Sequence, residues 1–301
     1  MTDEQRLKNL LVPKEKIDVV LDTDAYNEID DQFAISYLLK SEEKLNTKAI
    51  YAAPFLNSRS CSAKDGMEKS YNEILKLLSI INKNIEVFNG SDNFLKDEQT
   101  PIMSPAAEDL ARRVNDYSPE NPLYVVAIGA ITNVASAMLL NPKVAKNTVV
   151  IWLGGHAHHY KDTYEFNMRQ DISAARVVMG SSVPFVQLPC VGVVSAFTVS
   201  GCELEYWLKG KGALADYLAS STIEEAESYA KGKPWTRVIW DVTAVAWLLN
   251  DDEQFMESRI VPIRKPQDDS KYEEESSGLM SYIYYINRDN LMTDLFKKIS
   301  D

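Results

Sequence analysis

The sequence predicts an α/β protein built on an open, mostly parallel central sheet that is flanked by helices. Its apolar runs are short and continuous rather than alternating, which is typical of strands buried on both faces. Amphipathic segments separate these runs, and regular alternation of strand and helix indicates a doubly wound sheet. The chain has 301 residues and no internal repeat or obvious linker, so residues 1–301 are expected to form a single domain.

Six apolar runs in the first two thirds of the chain are the predicted parallel strands. In order, they are IDVVL (17–21), KAIYAA (48–53), IEVFNG (85–90), YVVAIGA (124–130), TVVIWLGG (148–155) and VPFVQLPC (183–190). One helical pattern follows each of the first five strands. These predicted helices cover residues 31–41, 63–81, 106–116, 132–140 and 173–180.

The pattern changes after Cys190. Residues 203–231 and 236–249 are predicted to be helical, with Asp241 near the start of the second stretch. Two late strands are expected at RIVPIRK (259–265) and SYIYYINR (281–288), and the polar segment 265–277 between them is expected to be an exposed connection.

Composition and charge argue against several classes of function. Hydrophobic residues make up 45% of the chain and charged residues 25%, which is ordinary for a soluble globular protein. The net charge of −12 argues against a nucleic-acid partner, and no apolar stretch reaches the ~20 residues that span a bilayer. The N-terminal stretch lacks the apolar core of a signal peptide, and three cysteines without a CxxC pair fit reduced thiols. A cytoplasmic location is therefore expected.

The stretch LDTDAYNEIDDQFA (21–34) places five carboxylates within ten positions: Asp22, Asp24, Glu28, Asp30 and Asp31. It begins at the carboxyl end of the first predicted strand, and ligands of open parallel sheets bind in the crevice beyond such ends. Buried carboxylates repel one another unless a cation is present or their pKa values rise. Ca²⁺ is the simplest solution, because it accepts about 6–8 oxygen ligands from carboxylates, carbonyls and hydroxyls. The alternative is a solvated acidic turn that caps the following helix.

Polar residues at other predicted element ends are candidate partners of this cluster. Thr132 and Asn133 follow the fourth strand. Glu165 and Asn167 follow the fifth, and in an extended segment they would share one face. Asp241 opens a later predicted helix. Singly, Asn133 and Asp241 are more often helix caps than ligands, but their common position at one rim of the sheet favours a shared site.

Five segments of the chain resemble the nucleoside hydrolases, the inosine–uridine-preferring N-ribohydrolase family. They stand in the order found in that family: LDTD…DDQFA, IGAITNVA, WLGG, EFNMRQDISAARVV and WDVTAVA. The first is the most specific, since members usually carry a DxDPGxDD loop there. The resemblance implies a nucleoside hydrolase-like fold and Ca²⁺-dependent hydrolysis of the N-glycosidic bond of ribonucleosides to ribose and free base. It also implies purine or pyrimidine salvage, and a homodimer or homotetramer.

The resemblance further implies a catalytic metal centre. The Ca²⁺ ion would be held by Asp24, Asp31, the backbone carbonyl of Thr132, and Asp241. Asp30 would be the general base that acts on a metal-bound water, as in inverting hydrolysis of a glycosidic bond.

Sugar-binding residues are implied in the same way. Glu165 and Asn167 match the residues that hold the ribose 5′- and 3′-hydroxyls, and Asp22 matches a nearby acidic support position. His159 stands six residues before the Glu, where the family has an Asn. It is expected either to belong to a polar loop with His156 and His158 or to reach the ribose 5′ end.

Two further departures from the family pattern concern the loop and the base site. The acidic loop is two residues longer than the family's and lacks Pro-Gly, so its backbone path must differ. Trp240 stands where many members carry a His that is the proposed leaving-group acid. Trp240 is expected to stack on the departing base instead, in a pocket whose further candidate residues are Tyr229, Trp235 and Arg237.

Two alternative functions remain open at the level of sequence. A non-catalytic ribose- or nucleoside-binding protein would explain the missing His at position 240. A haloacid-dehalogenase-type phosphatase also has a DxD after its first strand, but that pattern expects a Thr or Val shortly after the second Asp, where this chain has Ala25-Tyr26. It also expects no acidic pair like Asp30-Asp31.

Overall fold

The fold is organised by one large sheet, seen in a computed structural model that describes residues 1–273 and 278–301. The strands are β1 (Ile17–Thr23), β2 (Leu45–Ala52), β3 (Glu86–Asn89), β4 (Leu123–Ala127), β5 (Thr148–Leu153), β6 (Phe185–Leu188), β7 (Thr198–Ser200), β8 (Thr236–Val238), β9 (Met256–Pro262) and β10 (Leu279–Ile286). Eight of them form the main sheet in the spatial order β3-β2-β1-β4-β5-β6-β10-β9. Strand β9 runs antiparallel to β10, and the other neighbouring pairs of the sheet are parallel.

Helices cover both faces of this sheet. They are α1 (Asp3–Lys8), α2 (Asp30–Leu39), α3 (Ala63–Ile81), α4 (Pro105–Arg113), α5 (Thr132–Leu140), α6 (Val144–Asn147), α7 (Phe166–Gln170), α8 (Ile172–Met179), α9 (Gly201–Trp207), α10 (Ala213–Ala230), α11 (Val242–Leu248) and α12 (Arg288–Ser300).

The two faces of the sheet carry separate hydrophobic clusters. Along β1, Val19 and Leu21 pack with α2, α3 and α11, whereas Val20 packs with α4, α5 and α8. Successive side chains of a strand point to opposite faces, so a continuous apolar run such as IDVVL is buried on both sides. The predicted fold class, an open and mostly parallel sheet flanked by helices, is therefore confirmed.

Strand order changes direction beside β1. The chain places β2 and β3 on one side of β1 and then returns to place β4 and β5 on the other. The helices that follow β1 and β4 therefore leave the sheet on opposite faces, and a crevice opens between the ends of these two strands. The acidic stretch that follows β1 enters this crevice.

Most predicted elements are present, and the differences lie in the last third of the chain. Residues 236–249 were expected to be one helix, but Thr236–Val238 form β8, which pairs antiparallel with β7; the helix begins only at Val242. The predicted helical stretch 203–231 is broken into α9 and α10 at a turn with two glycines of positive φ, Gly210 and Gly212. The predicted exposed connection 265–277 extends into residues 274–277, which lie outside the described residues.

No helix among residues 1–273 and 278–301 combines the length and the apolar character that crossing a membrane requires.

Candidate active site

The turn between β1 and α2 brings three acids into the crevice. The Asn27 N–H donates to the Asp24 carbonyl at 2.7 Å and reverses the chain, and α2 then begins at Asp30. Asp24, Asp30 and Asp31 are only 1%, 2% and 1% exposed. The longer loop without Pro-Gly therefore still buries the carboxylates at both of its ends.

Asp241 joins these acids from the N-cap of α11 and is also buried. One carboxylate oxygen from each of Asp30, Asp31 and Asp241 lies within 4.8 Å of the other two. The Asp241 N–H donates to Asp30 Oδ2 at 3.4 Å, and the Thr23 hydroxyl donates to Asp31 Oδ1. Asp24 Oδ2 and Asp30 Oδ1 are buried without a hydrogen-bond partner in the described part of the chain.

The carboxylates of this cluster are buried close together, so their ionised forms repel one another. Burial raises the pKa of Asp24, Asp31 and Asp241 well above the ordinary aspartate value, and repulsion among the neighbouring acids raises it further. Burial also raises the pKa of Asp30, which the positive charge of Arg237 opposes. Several ionised carboxylates share this volume stably only if a cation is present. A divalent cation with oxygen ligands fits the donors, because it would satisfy the unpaired oxygens and remove the repulsion.

Glu165 is held rigidly beside the cluster. It is the N-cap of α7, and its carboxylate accepts the backbone N–H groups of Gly155, Asn167 and Met168 at 2.9, 2.9 and 3.0 Å. The segment is therefore a helix start rather than the extended strand that the sequence suggested. Gly155 has a φ of +77°, a conformation that glycine adopts without strain, which lets the chain turn after β5 and present its N–H to Glu165.

Asn167 bridges the ends of two strands. Its side-chain amide donates to the backbone carbonyls of Ile128, just after β4, and Leu153, at the end of β5, at 3.1 and 3.0 Å. Both Glu165 and Asn167 face the same cavity as the acids. The structure thus brings these two residues and the acidic cluster together around one cavity.

A cavity of about 400 Å³ opens beside the cluster. Its walls are formed by Asp24, Asn27, Glu28, Asp30, Asp31, Ile128, Leu153, His156, Tyr164, Glu165, Phe166, Asn167, Arg169, Cys190, Val191, Trp240 and Asp241. The volume suits a small organic ligand that is held by a few fixed polar groups. Trp240 gives the cavity a broad apolar surface close to the acids.

Thr132 does not line this cavity. It is the first residue of α5, and its hydroxyl donates to Asp171 at 2.7 Å. Ile128 forms the wall instead, because β4 ends at Ala127 and the next residue already stands at the crevice. A Cβ added to the neighbouring Gly129 would lie 3.0 Å from Asp24 Oδ1, so the backbone after β4 approaches the acids closely at this point.

His159 also lies outside the cavity wall. Its side chain is exposed, and its ring centroid is 4.9 Å from that of Tyr160. His156 lines the cavity in its place, and its N–H donates to the Thr163 hydroxyl at 3.1 Å. The chain is exposed at residues 159–161, and this places the His159 side chain away from the cavity.

Asp22 is placed one layer below the cavity. It is fully buried in β1 and accepts a hydrogen bond from the Asn133 side chain at 2.7 Å. Burial raises the pKa of Asp22 to about 7, although the Asn133 hydrogen bond opposes that rise. The pair joins β1 to α5, which is a position from which Asp22 supports the acidic turn.

No sequence pattern indicated the ion-pair network that lies at the rim of the cavity. Arg237 Nη2 lies 2.6 Å from Glu28 Oε2 and 3.7 Å from Glu225 Oε1, and Arg59 Nη2 lies 2.9 Å from the same Glu225 oxygen. Arg237 was expected to line the base pocket with Tyr229 and Trp235, but none of these three residues lines the cavity. Arg237 pairs with Glu28, which does line the cavity, and the separation of 209 positions along the chain left no local signal of this pair.

The fold and the site define an α/β enzyme of the nucleoside hydrolase type. The chain belongs to the inosine-uridine preferring nucleoside hydrolase family, whose model matches residues 19–278. It is accordingly an N-glycosyl hydrolase, of a family that is metal-dependent. The phosphatase alternative is wrong, because the family model identifies the chain as a nucleoside hydrolase.

Solved structures share the fold at low sequence identity. A plant nucleoside hydrolase has a TM-score of 0.74 and 19% identity, with 94% of this chain and 99% of that chain covered. A purine-preferring ribonucleoside hydrolase from Gardnerella vaginalis has a TM-score of 0.70 and 17% identity, with 94% and 98% covered. At such identity the likeness shows the fold alone. A search of curated proteins found no match.

His158 is packed against two tyrosine rings outside the cavity wall. Its ring stands 4.9 Å from the Tyr272 ring and 4.4 Å from the Tyr282 ring. Burial lowers the pKa of His158 to about 4; Arg264 and Arg259 lower it further, and the nearby Gln187 side chain opposes this. The folded protein therefore holds His158 neutral at mildly acidic pH.

This shift predicts a pH-dependent loss of stability. Between about pH 6.5 and 4 the unfolded chain binds a proton at His158 that the folded protein does not, so the folded state loses stability as the pH falls. In His158→Gln, the free energy of unfolding relative to the unmodified protein should rise by about 1–2 kcal/mol from pH 7 to pH 4, an estimate reduced for the solvent exposure of the ring. Urea unfolding at several pH values measures this. The exposed His159→Gln is the matched control, and a pH-independent difference for His158→Gln would contradict the assignment.

Proposed function

We propose that this protein is a Ca²⁺-dependent ribonucleoside hydrolase that splits the N-glycosidic bond with Asp30 as general base. The observation that carries the proposal is the convergence of Asp30, Asp31 and Asp241 within 4.8 Å beside Glu165 and Asn167. A cation bound by the acidic cluster could bind some hydroxyls of a sugar, and the fixed polar groups beside it could bind the others. We further propose a role in nucleoside salvage in the cytoplasm; a homodimeric or homotetrameric state stays a prediction.

Asp24, Asp31 and Asp241 would hold the ion. The backbone oxygen after β4 is assigned to Ile128 rather than to Thr132, because Ile128 lines the cavity and the adjacent Gly129 approaches Asp24. When bound, Ca²⁺ supplies the positive charge that anchors the vicinal hydroxyls of the ribose and makes a nearby water more acidic. Hard oxygen donors of this number favour Ca²⁺ over softer metals.

Asp30 is placed to take the proton of the attacking water. Its Oδ2 accepts the Asp241 N–H, and its Oδ1 has no partner among the described residues. Arg237 favours the ionised form that a base needs. The water oxygen bonds to C1′, its proton passes to Asp30, and the base departs with the electron pair of the broken C–N bond. Glu165 and Asn167, fixed by backbone contacts, would bind the 5′- and 3′-hydroxyls and hold the sugar in place.

The departing base would be met by Trp240. This residue is half-buried in the cavity wall and immediately precedes Asp241. An indole cannot act as a general acid near neutral pH, whereas a protonated imidazole can. We therefore propose that Trp240 stabilises the leaving base by stacking. The rival function, ribose or nucleoside binding without turnover, would leave the same contacts but release no sugar.

A reducing-sugar assay across a panel of purine and pyrimidine ribonucleosides, with Ca²⁺ or with chelator, tests the proposed function directly. Release of ribose that requires Ca²⁺ is expected. Tight nucleoside binding with no sugar released over long incubation would instead establish the binding protein.

Ca²⁺ binding should increase the free energy of unfolding of the protein. Since the ion binds only the folded cluster, saturating Ca²⁺ at about 100 times its Kd should stabilise the protein by about 2.7 kcal/mol and raise the melting temperature of chelator-treated protein. Asp241→Asn should abolish this Ca²⁺-dependent shift. Asp92→Asn removes the same charge from an exposed position outside the cavity and should keep the shift; an equal loss in both variants would refute the assigned ligands.

Replacement of the general base should separate chemistry from metal binding. Asp30→Asn removes the proton acceptor but leaves a side chain of the same shape, so ribose release should fall by about 10²–10⁴-fold. The Ca²⁺-induced rise in melting temperature should persist in the same variant. Turnover close to that of the unmodified protein would show that another group takes the proton.

Loss of the stacking surface should depend on the base. Trp240→Ala should lower kcat/KM on purine nucleosides more than on pyrimidine nucleosides, because the larger ring loses more contact; stacking of about 0.5–1.5 kcal/mol corresponds to a factor of roughly 2 to 10. Trp240→Phe keeps an aromatic face and should retain most of the activity. Equal losses on both classes of substrate would argue against stacking.

A further inference from the structure

A second concavity lies beside the active-site cavity. We call it the side groove; it has a volume of about 330 Å³ and is lined by Leu56, Phe94, Tyr164, Phe166, Arg169 and Gln170. Three of these residues, Tyr164, Phe166 and Arg169, also line the active-site cavity. The two spaces therefore share a wall, and Arg169 in that wall faces both of them.

Arg169 gives this shared wall a positive charge that no carboxylate of the described residues pairs with. Its guanidinium carbon lies 4.7 Å from the Tyr164 ring centroid and 5.4 Å from that of Phe166, which orients the group by cation–π contact. No carboxylate lies within 4.0 Å of it among residues 1–273 and 278–301, whereas Arg237 at the other rim contacts two glutamates. In a chain of net charge −12, an exposed guanidinium without a carboxylate partner is open to an anionic ligand.

The residues that line both the side groove and the cavity are neighbours of Glu165 and Asn167 in the sequence. Phe166 and Arg169 lie on α7 together with Asn167, and Tyr164 directly precedes Glu165. His156, which follows the Gly155 that contacts Glu165, lines the cavity on this side as well. Under the proposed function, Glu165 holds the 5′-hydroxyl of the ribose. A substituent on C5′ would therefore point toward the side groove and away from the acidic cluster.

We propose that the side groove is a subsite for a phosphate ester on the 5′ carbon of the ribose, bound by Arg169, so that 5′-phosphorylated ribosides are ligands of this protein. The planar guanidinium offers parallel donors that match two phosphate oxygens, and the aromatic rings that hold it limit the entropy lost on binding. Phosphate is the anion that ribosides commonly carry at this carbon. The inference rests on the proposed function for the direction of the sugar.

The test compares matched pairs of ligands that differ only in the phosphate. Calorimetry in Ca²⁺ buffer of fixed ionic strength measures the Kd of adenosine against adenosine 5′-monophosphate, and of ribose against ribose 5-phosphate. Asp30→Asn protein serves as the binding species, so that turnover does not consume the ligands. The phosphate should tighten binding by about tenfold in at least one pair, in keeping with a charge-assisted bidentate contact. A gain in the adenosine pair identifies the nucleotide as the ligand, and a gain only in the ribose pair identifies the free sugar phosphate.

Arg169→Gln, added to the same protein, should reduce the ratio of the two Kd values to near one, and Arg169→Lys should restore only part of it. Arg259 is the matched control. It too is exposed and stacks on two tyrosines, at 5.6 and 5.4 Å, but it lines neither concavity, so Arg259→Gln should keep the full ratio. Equal affinity for both members of each pair, or an unchanged ratio in Arg169→Gln, would overturn the subsite.

Failure of the subsite and failure of the proposed function give different results. Ca²⁺-dependent ribose release from nucleosides without a phosphate effect would leave the hydrolase intact and remove the subsite. A phosphate gain that depends on Arg169, in a protein that releases no ribose from nucleosides, would leave the subsite and remove the hydrolase.

Discussion

The crowding of like charges at the end of β1 is the constraint on which the rest of the site depends. Asp24, Asp30, Asp31 and Asp241 are each almost fully buried, yet burial and mutual repulsion disfavour their ionised forms. Water does not relieve this repulsion in the interior, so the cluster is under tension unless protons or a cation are bound. Such unfavourable repulsion among buried carboxylates is typical of sites that bind a cation, and the proposed reaction at a sugar depends on one.

The topology of the sheet determines where these acids meet. Because strand order reverses between β2-β1 and β4-β5, the crevice between β1 and β4 is open, and the residues just beyond both strands face it. The contacts around it are mostly to backbone groups: Glu165 accepts three N–H groups, and Asn167 donates to two carbonyls. Such contacts hold functional side chains in one orientation before any ligand arrives, which reduces the reorganisation that catalysis would require.

Prediction from sequence succeeded where a local pattern carried the information. Continuous apolar runs identified all six parallel strands from β1 to β6, and the amphipathic pattern gave the bounds of α3 and α5. It failed where position depended on three-dimensional placement. The family resemblance implied Thr132 and His159, but the structure places Ile128 and His156 at the cavity wall. Short elements such as α7 and β7–β8 are held by tertiary contacts, and the pairing of Arg237 with Glu28 has no periodic signal at all.

The separation of the acids along the chain has a consequence for how the protein matures. Asp24 to Asp31 belong to the first tenth of the sequence, whereas Asp241 arrives some two hundred positions later and β10 must still insert between β6 and β9. An emerging chain would thus complete most of its parallel strands while the negatively charged crevice lacks its last member, and contacts of such long range form slowly. Completion of the acidic centre therefore depends on the C-terminal third of the chain, where α11 supplies Asp241 and also packs into the core on one face of the sheet.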